Sequence, residues 1–535
     1  MAEKKGQNYL HGAAILTAGV VIMKILGFIY KVPIANIIGD DGYSLFLATY
    51  NVYNVFLTLS TAGLPIALSR LISEANAERR PMQARRTFSV AWMTFFAVGM
   101  ICTLVMFFFS EPLAADILHN PPAALSIRAM APAVLLVCLV SAYRGYCQGY
   151  GNMLPTTVGQ VLEVLAKVVV GLALAAVVMK AGKGKEYGSA AAILGVSIGA
   201  LVALIYMWLY KMRNYREEPL AQPDTPDSPW KIFRRFMRIG IPIALGSCVL
   251  ALLNLVDSSL CMGRLQDAAG FSLNQAQTLY GVYGEAQTLF NLPAAVITPL
   301  TISVVPAIAS ALVRGDEDGA TKISEDSLRI ATVLCLPMGV GLAVLAKPIM
   351  KVIFAGSHSS GPALLAIMGL ASFFVCIVLM ENAILQASGK EMLPMYSMIV
   401  GGLVKIGVNW FLVANPDINI YGAPIGTLSS YVVMCVMNFV FMCFVLDKNP
   451  RVRTIVGRPL VCSVLMGACA WAIYGIAGRF IGTASRMQML VCMGAAILAA
   501  VVVYLISAIA LRTITKADMH LIPGGDKLAR LLHMR

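Results

Sequence analysis

Long apolar runs, broken by short polar segments, set the pattern of this chain; Met130–Val140 and Met489–Ala510 are two of them. The apolar positions do not alternate with polar ones. Strands of a membrane barrel, which are about 10 residues long and alternate, are therefore excluded. Extended to about 20 residues, such runs cross a ~30 Å hydrocarbon layer as helices. Hydropathy predicts fourteen of them, at 10–33, 43–68, 87–109, 127–147, 156–179, 189–210, 239–262, 279–310, 328–350, 362–386, 395–414, 423–446, 459–478 and 488–511. The expected fold class is an all-α integral membrane protein.

Composition agrees. Of 535 residues, 59% are hydrophobic and 13% charged, against about 25% charged in soluble proteins; the mean hydropathy is +0.77. The apolar stretch from Leu10 has no small-residue cleavage site and runs on past Lys24, so it reads as a retained first helix rather than a signal peptide. The twelve cysteines are scattered, mostly inside apolar runs, and read as small hydrophobes of helix packing. Neither they nor the five histidines show metal-ligand spacing. No phosphate-binding G-x-x-x-x-G-K-[ST] pattern occurs. The loops are short and hold no exposed acidic motif, which argues against a membrane enzyme.

The net charge of +14 is mostly a matter of topology. With the N-terminus in the cytoplasm, 28 of the 41 Lys and Arg fall on inside segments and 10 on outside ones. That bias predicts both termini inside. The basic residues flank membrane helices, so nucleic acid is not an expected partner. The longest interruption, Lys211–Met237, carries Glu217-Glu218-Pro219 and three further prolines. The expected organisation is a first lobe at 1–210, a cytoplasmic linker at 211–238, a second lobe at 239–446, and two further helices with a tail at 447–535. Two echoes suggest a parallel repeat of the lobes: Leu64-Pro65-Ile66-Ala67 with Val305-Pro306-Ala307-Ile308, and Met153-Leu154-Pro155 with Met392-Leu393-Pro394. Their prolines are offset by 241 and 239 residues.

Seven ionisable residues interrupt the predicted spans: Lys24, Glu163, Lys167, Asp257, Glu285, Glu381 and Lys405. A charge near the bilayer centre costs at least ~2.5–3.5 kcal/mol, so such residues pair or face a wet cavity. The pattern points to a transporter with a charged cargo or coupling ion. Lys24 reads as a cargo contact or as half of an internal salt bridge. Lys31 reads as a cargo contact or a snorkelling anchor. Glu163 and Lys167 are four apart on one helix in the favoured order, so a neutralised pair is the simplest reading and a switch pair the other. Lys405 needs Glu381 or a cavity. Asp257 and Glu285, as neighbouring carboxylates, could bind H⁺ or Na⁺. Arg70 marks topology or a gate.

The segments Tyr143-Arg144-Gly145-Tyr146-Cys147-Gln148-Gly149, Asn152-Met153-Leu154-Pro155-Thr156, and Gln160-Val161-Leu162-Glu163 with Lys167 resemble the helix 4–5 signature of the polysaccharide-exporter branch of the MOP superfamily. Within it the chain looks most like the stage V sporulation protein B and MurJ-type lipid II flippases of Firmicutes. Leu26-Gly27-Phe28 and Gly63-Leu64-Pro65-Ile66-Ala67-Leu68-Ser69-Arg70 are similar too. The resemblance implies a V-shaped, MATE-like transporter of two six-helix lobes plus two C-terminal helices. It implies that an undecaprenyl-diphosphate-linked saccharide, such as lipid II, moves from the inner to the outer leaflet by alternating access. Capsule, teichoic-acid and spore-cortex units are alternative cargoes, and a cation-coupled multidrug antiporter is the alternative activity. Membrane lipid and the cell-wall synthesis machinery are the implied partners. No cofactor is implied; H⁺, Na⁺ or membrane potential would drive the cycle.

On that reading Lys24, Lys31, Arg70, Lys167 and Lys405 are the candidate cargo contacts, since cations compensate a diphosphate through charge-assisted hydrogen bonds. Asp257, Glu285, Glu163 and Glu381 are the candidate coupling or gating residues. The chain departs from MurJ-type proteins in having Leu57 where helix 2 carries an arginine. It also has no Arg or Lys between Phe271 and Val313.

Overall fold

The computed structural model describes residues 2–214, 224–446, 453–511 and 513. Among these there are helices and turns and no strand. Two compact units are present, Met1–Gly281 and Val282–Arg535.

The first unit opens with α1 (Ala2–Thr61), a 60-residue element that would be about 90 Å long if straight. It covers the first predicted span and most of the second. Gly39, between them, adopts φ 72° and ψ 175°, a conformation open to glycine but costly for other residues. The predicted helix at 43–68 is broken at 62–63, and α2 (Leu64–Ala77) starts afresh with Pro65 in its first turn. Proline fits there because its missing N–H would have no helical partner anyway. Gly63 sits at the break because another helix crosses it: a Cβ at Gly63 would lie 2.1 Å from the Gly240 carbonyl oxygen. Gly240 belongs to α7 (Pro229–Asp267), which Ser228 caps by accepting from the Lys231 N–H.

Between them run α3 (Pro81–Phe108), α4 (Ala124–Gly149), α5 (Leu154–Lys180) and α6 (Lys185–Asn214). α4 packs against α3 and α6, and α5 against α6 and α1. Ile34, Ile38, Phe46, Leu68 and Phe95 are wholly buried in this unit. α8 (Leu273–Val313) begins in the first unit and continues in the second.

The second unit holds α9 (Glu317–Val344), the short α10 (Ala346–Ile353), α11 (Gly361–Ala387), α12 (Met392–Leu412), α13 (Gly422–Val445), α14 (Arg458–Ile481) and α15 (Arg486–Ala510). α11 is central, packed on α9 and α13. The α14–α15 hairpin joins through α9, where the Tyr504 hydroxyl donates to the Val333 carbonyl at 2.6 Å. Arg486 satisfies the open end of α10 by donating to the carbonyls of Val352 and Ile353.

Among the described residues, twelve helices are long and apolar enough to cross a membrane, and the chain is a multi-pass membrane protein. The count of fourteen is not confirmed. Ile22–Ala77 registers as one stretch across the boundary between the first two predicted spans. The expected linker's centre at 215–223, the loop at 447–452, and position 512 with the tail at 514–535 lie outside the described residues.

Candidate functional site

One cluster of largely buried charge in the first unit lies where α1, α4 and α5 meet. Glu163 on α5 lies within Coulombic reach of Lys167 but makes its direct ion pair elsewhere. Its Oε2 accepts from Arg144 Nη2 on α4 at 2.6 Å, with both side chains mostly buried. The expected i,i+4 pair is thus replaced by a pair between helices. The reason lies in reach and direction: Arg144 comes from a neighbouring helix with a long forked head, whereas Lys167 turns toward α1. The Lys167 ammonium sits 5.4 Å from the centroid of the Tyr30 ring, within cation–π range. Tyr30 is fixed in turn, 1% exposed and donating its hydroxyl to the Ala192 carbonyl of α6 at 2.8 Å.

Lys31 follows Tyr30 on α1, is half-buried, and lies within Coulombic reach of Lys167. Tyr50 and Tyr53, from the later part of α1, come within reach of Glu163. The cluster holds three cations and one carboxylate, and that carboxylate is engaged by Arg144. Arg144 has donors to spare, since its Nε–H is buried without a hydrogen-bond partner. Two like charges held this close disfavour each other and are complementary to a compact dianion or diphosphate. Lys24, exposed, lies seven residues before Lys31 on the same stripe of α1, about 10 Å away along the axis.

The remaining predicted residues are dispersed. Arg70 is an exposed residue of α2, paired with Glu74 at 3.1 Å. Glu74 also binds Arg235 of α7 at 2.7 Å. Asp257 is buried on α7 in the first unit, and Glu285 is buried on α8 in the second. Glu381, 1% exposed on α11, accepts from the Cys435 thiol of α13 at 3.6 Å. Its Oε2 has no hydrogen-bond partner. Beside it Asn438 donates to Asn382 at 2.8 Å. Lys405 is half-buried on α12.

Sequence reasoning missed two parts of this arrangement. Arg144 read as a helix-end topology marker, although it stands inside the quoted Tyr143-Arg144-Gly145 signature. The ring of Tyr30 under Lys167 had no sequence signal beyond its place next to Lys31. A third feature lies at the end of the linker. Asp224 accepts from Arg80 Nε at 3.1 Å and from the Gln83 N–H at 2.8 Å, while the Asp227 N–H donates to Gln83 Oε1 at 2.7 Å. These bonds strap residues 224–227 to the start of α3. A hydrogen bond from Lys231 holds the Asp227 carboxyl below the usual aspartate range.

The architecture is that of a polytopic helical membrane protein, and comparison places it among known families. The polysaccharide biosynthesis protein family matches residues 9–312, more than half the chain, and the protein belongs to that family. Stage V sporulation protein B of Bacillus subtilis is 28% identical, over 97% of this chain and 98% of its own. Lipid II flippase MurJ of the same organism is 25% identical, over 88% and 89%. Among solved structures, a lipid II flippase MurJ in an inward closed conformation is similar with TM-score 0.69 and 15% identity, covering 93% of this chain and 99% of that one. An inward-facing multidrug resistance MATE transporter of the MOP superfamily follows with TM-score 0.65 and 14% identity, covering 80% and 97%. The fold is that of the MOP superfamily.

Proposed function

We propose that this protein is a flippase that moves a diphosphate-linked, lipid-anchored saccharide, lipid II in the first instance, from the inner to the outer leaflet by alternating access. The observation that carries the reading is the Lys31–Lys167 pair, with the neighbouring Glu163 occupied by Arg144. A diphosphate brings the charge such a pair lacks. The 25% identity to a lipid II flippase over most of both chains supports the cargo class. The 28% identity to a stage V sporulation protein favours a second reading, a lipid-linked unit used during sporulation.

The orientation that goes with this function has both termini in the cytoplasm. Impermeant labelling of a single cysteine at Ser228 in intact cells would contradict it. The functional test is complementation of a strain depleted of its lipid II flippase, with lipid II accessibility at the outer leaflet as readout. Growth with restored accessibility supports the reading. Growth failure at normal membrane levels, with rescue of a sporulation defect instead, moves the cargo to the second reading.

A further inference from the structure

The first unit has an opening that Lys31, Lys167 and Glu163 do not line. Between the ends of α3, α4, α5 and α6 is an open cleft of about 410 Å³. That is well above the ~150 Å³ void that holds one benzene, so it has room for part of a hydrocarbon chain. Its lining changes along its length. Small residues, Ala129 of α4 and Ala190 of α6, form part of the apolar lining, flanked by Phe107 and Leu194. Three polar side chains complete the lining: Arg128, Lys183 and Tyr187.

These three stand close to helix ends. Arg128 is in the second turn of α4, Lys183 in the turn joining α5 to α6, and Tyr187 in the first turn of α6. Arg128 is held in place, its Nε donating to Ser110 Oγ at 2.7 Å and its Nη2 to Glu111 Oε1 at 2.6 Å. That leaves further guanidinium donors for a ligand. Lys183 is exposed and makes no ion pair among the described residues. Tyr187 is 53% exposed, an amphipathic ring of the kind that settles at headgroup level.

We infer that this cleft binds one anionic membrane phospholipid, its phosphate on Arg128 and Lys183 and an acyl chain along the alanine-lined wall. The inference does not depend on the cargo reading. A snorkelling cation alone needs no apolar groove beside it, and an annular lipid needs no oriented guanidinium. Cations beside an apolar groove are complementary to a phosphate ester joined to a hydrocarbon tail. A phosphatidylcholine headgroup carries its own cation and gains less from the same mouth.

The test uses the full chain purified in detergent and titrated separately with phosphatidylglycerol, phosphatidylcholine and undecaprenyl phosphate, with occupancy read by native mass spectrometry. The expected result is one saturable phosphatidylglycerol, bound at least tenfold tighter than phosphatidylcholine. Lys183→Glu, a change at an exposed turn, should remove most of that preference. Ala129→Leu narrows the groove without altering charge and should weaken both phospholipids alike. Equal binding of the two phospholipids, or no effect of Lys183→Glu, overturns the inference. Undecaprenyl phosphate binding more tightly than phosphatidylglycerol, and lost with Lys183→Glu, overturns it too, because the cleft would then be a cargo site.

Discussion

In the first unit the cluster where α1, α4 and α5 meet is mainly cationic, and its acid, Glu163, is held by Arg144 at 2.6 Å. Lys167 lies over the Tyr30 ring, with Lys31 next to Tyr30 on α1. In the second unit Glu381 is more deeply buried, at 1% exposed, and its neighbours are a thiol and two amides rather than cations. A buried carboxyl among neutral donors can exchange a proton; a lysine pair beside a satisfied acid can exchange an anion. Under the proposed function, this contrast predicts cargo recognition in the first unit and coupling in the second.

The largest effect should come from removing the lysine pair. Lys31→Ala/Lys167→Ala should insert normally and abolish flipping in the depleted strain at matched membrane levels. Each lysine supplies charge-assisted bonds to cargo of about 1.5–3 kcal/mol, so each single change should lower activity by roughly ten- to a hundredfold. Lys24→Ala should cost less, since Lys24 lies outside the cluster, and Lys24→Arg should retain more activity than Lys24→Ala. Full activity in the double variant would erase the contrast between the units.

Next in size is the Arg144–Glu163 pair. Arg144→Ala leaves a mostly buried carboxylate without its partner, an effect of about 3 kcal/mol in buried pairs. Folded yield should drop, and the freed Glu163 should turn to Lys167 one turn away. Arg144→Ala/Glu163→Gln should recover both yield and flipping. Equal yields in the single and double variants, compared by size-exclusion profile, would mean that the pair does not matter to the fold.

In the second unit, Glu381→Gln keeps shape and acceptor oxygen, so folding should hold. Transport in proteoliposomes should lose its response to an imposed H⁺ or Na⁺ gradient. A response identical to wild type would remove Glu381 from coupling and leave Asp257 and Glu285 to be tested. The smallest effect belongs to the linker strap. The Asp227 carboxyl is lowered by Lys231, so its contribution is present above the ordinary aspartate value of about 3.9. It is lost as pH falls through the lower folded value. Asp227→Asn should shift thermal stability at pH 7 by no more than about 1 kcal/mol, and less in high salt.

The helical membrane class and most helix positions were legible in the sequence, because a 20-residue apolar run has few other uses. The break at 62–63 was not. It depends on Gly63 meeting Gly240, and hydropathy does not register backbone contacts between distant segments. Gly39 likewise bends α1 without adding polarity. At the site, Lys31 and Lys167 were legible as charges, but their proximity was not, since the two lysines are 136 residues apart in the chain. The i,i+4 rule proposed the wrong partner for Glu163 because it weighs only neighbours on one helix. Arg144, on another helix, offered a better fork. Asp257, Glu285 and Lys405 remain as the sequence suggested them, ionisable groups in helices whose role transport measurements must assign.

The central claim is that Lys31 and Lys167 together recognise a diphosphate. It is tested most directly by measuring binding of undecaprenyl diphosphate and undecaprenyl phosphate to purified wild type, Lys167→Ala and Lys31→Ala/Lys167→Ala. The account predicts that wild type prefers the diphosphate by at least tenfold, that the single variant loses most of that preference, and that the double variant binds both lipids equally weakly. An unchanged diphosphate preference in a folded double variant would contradict it.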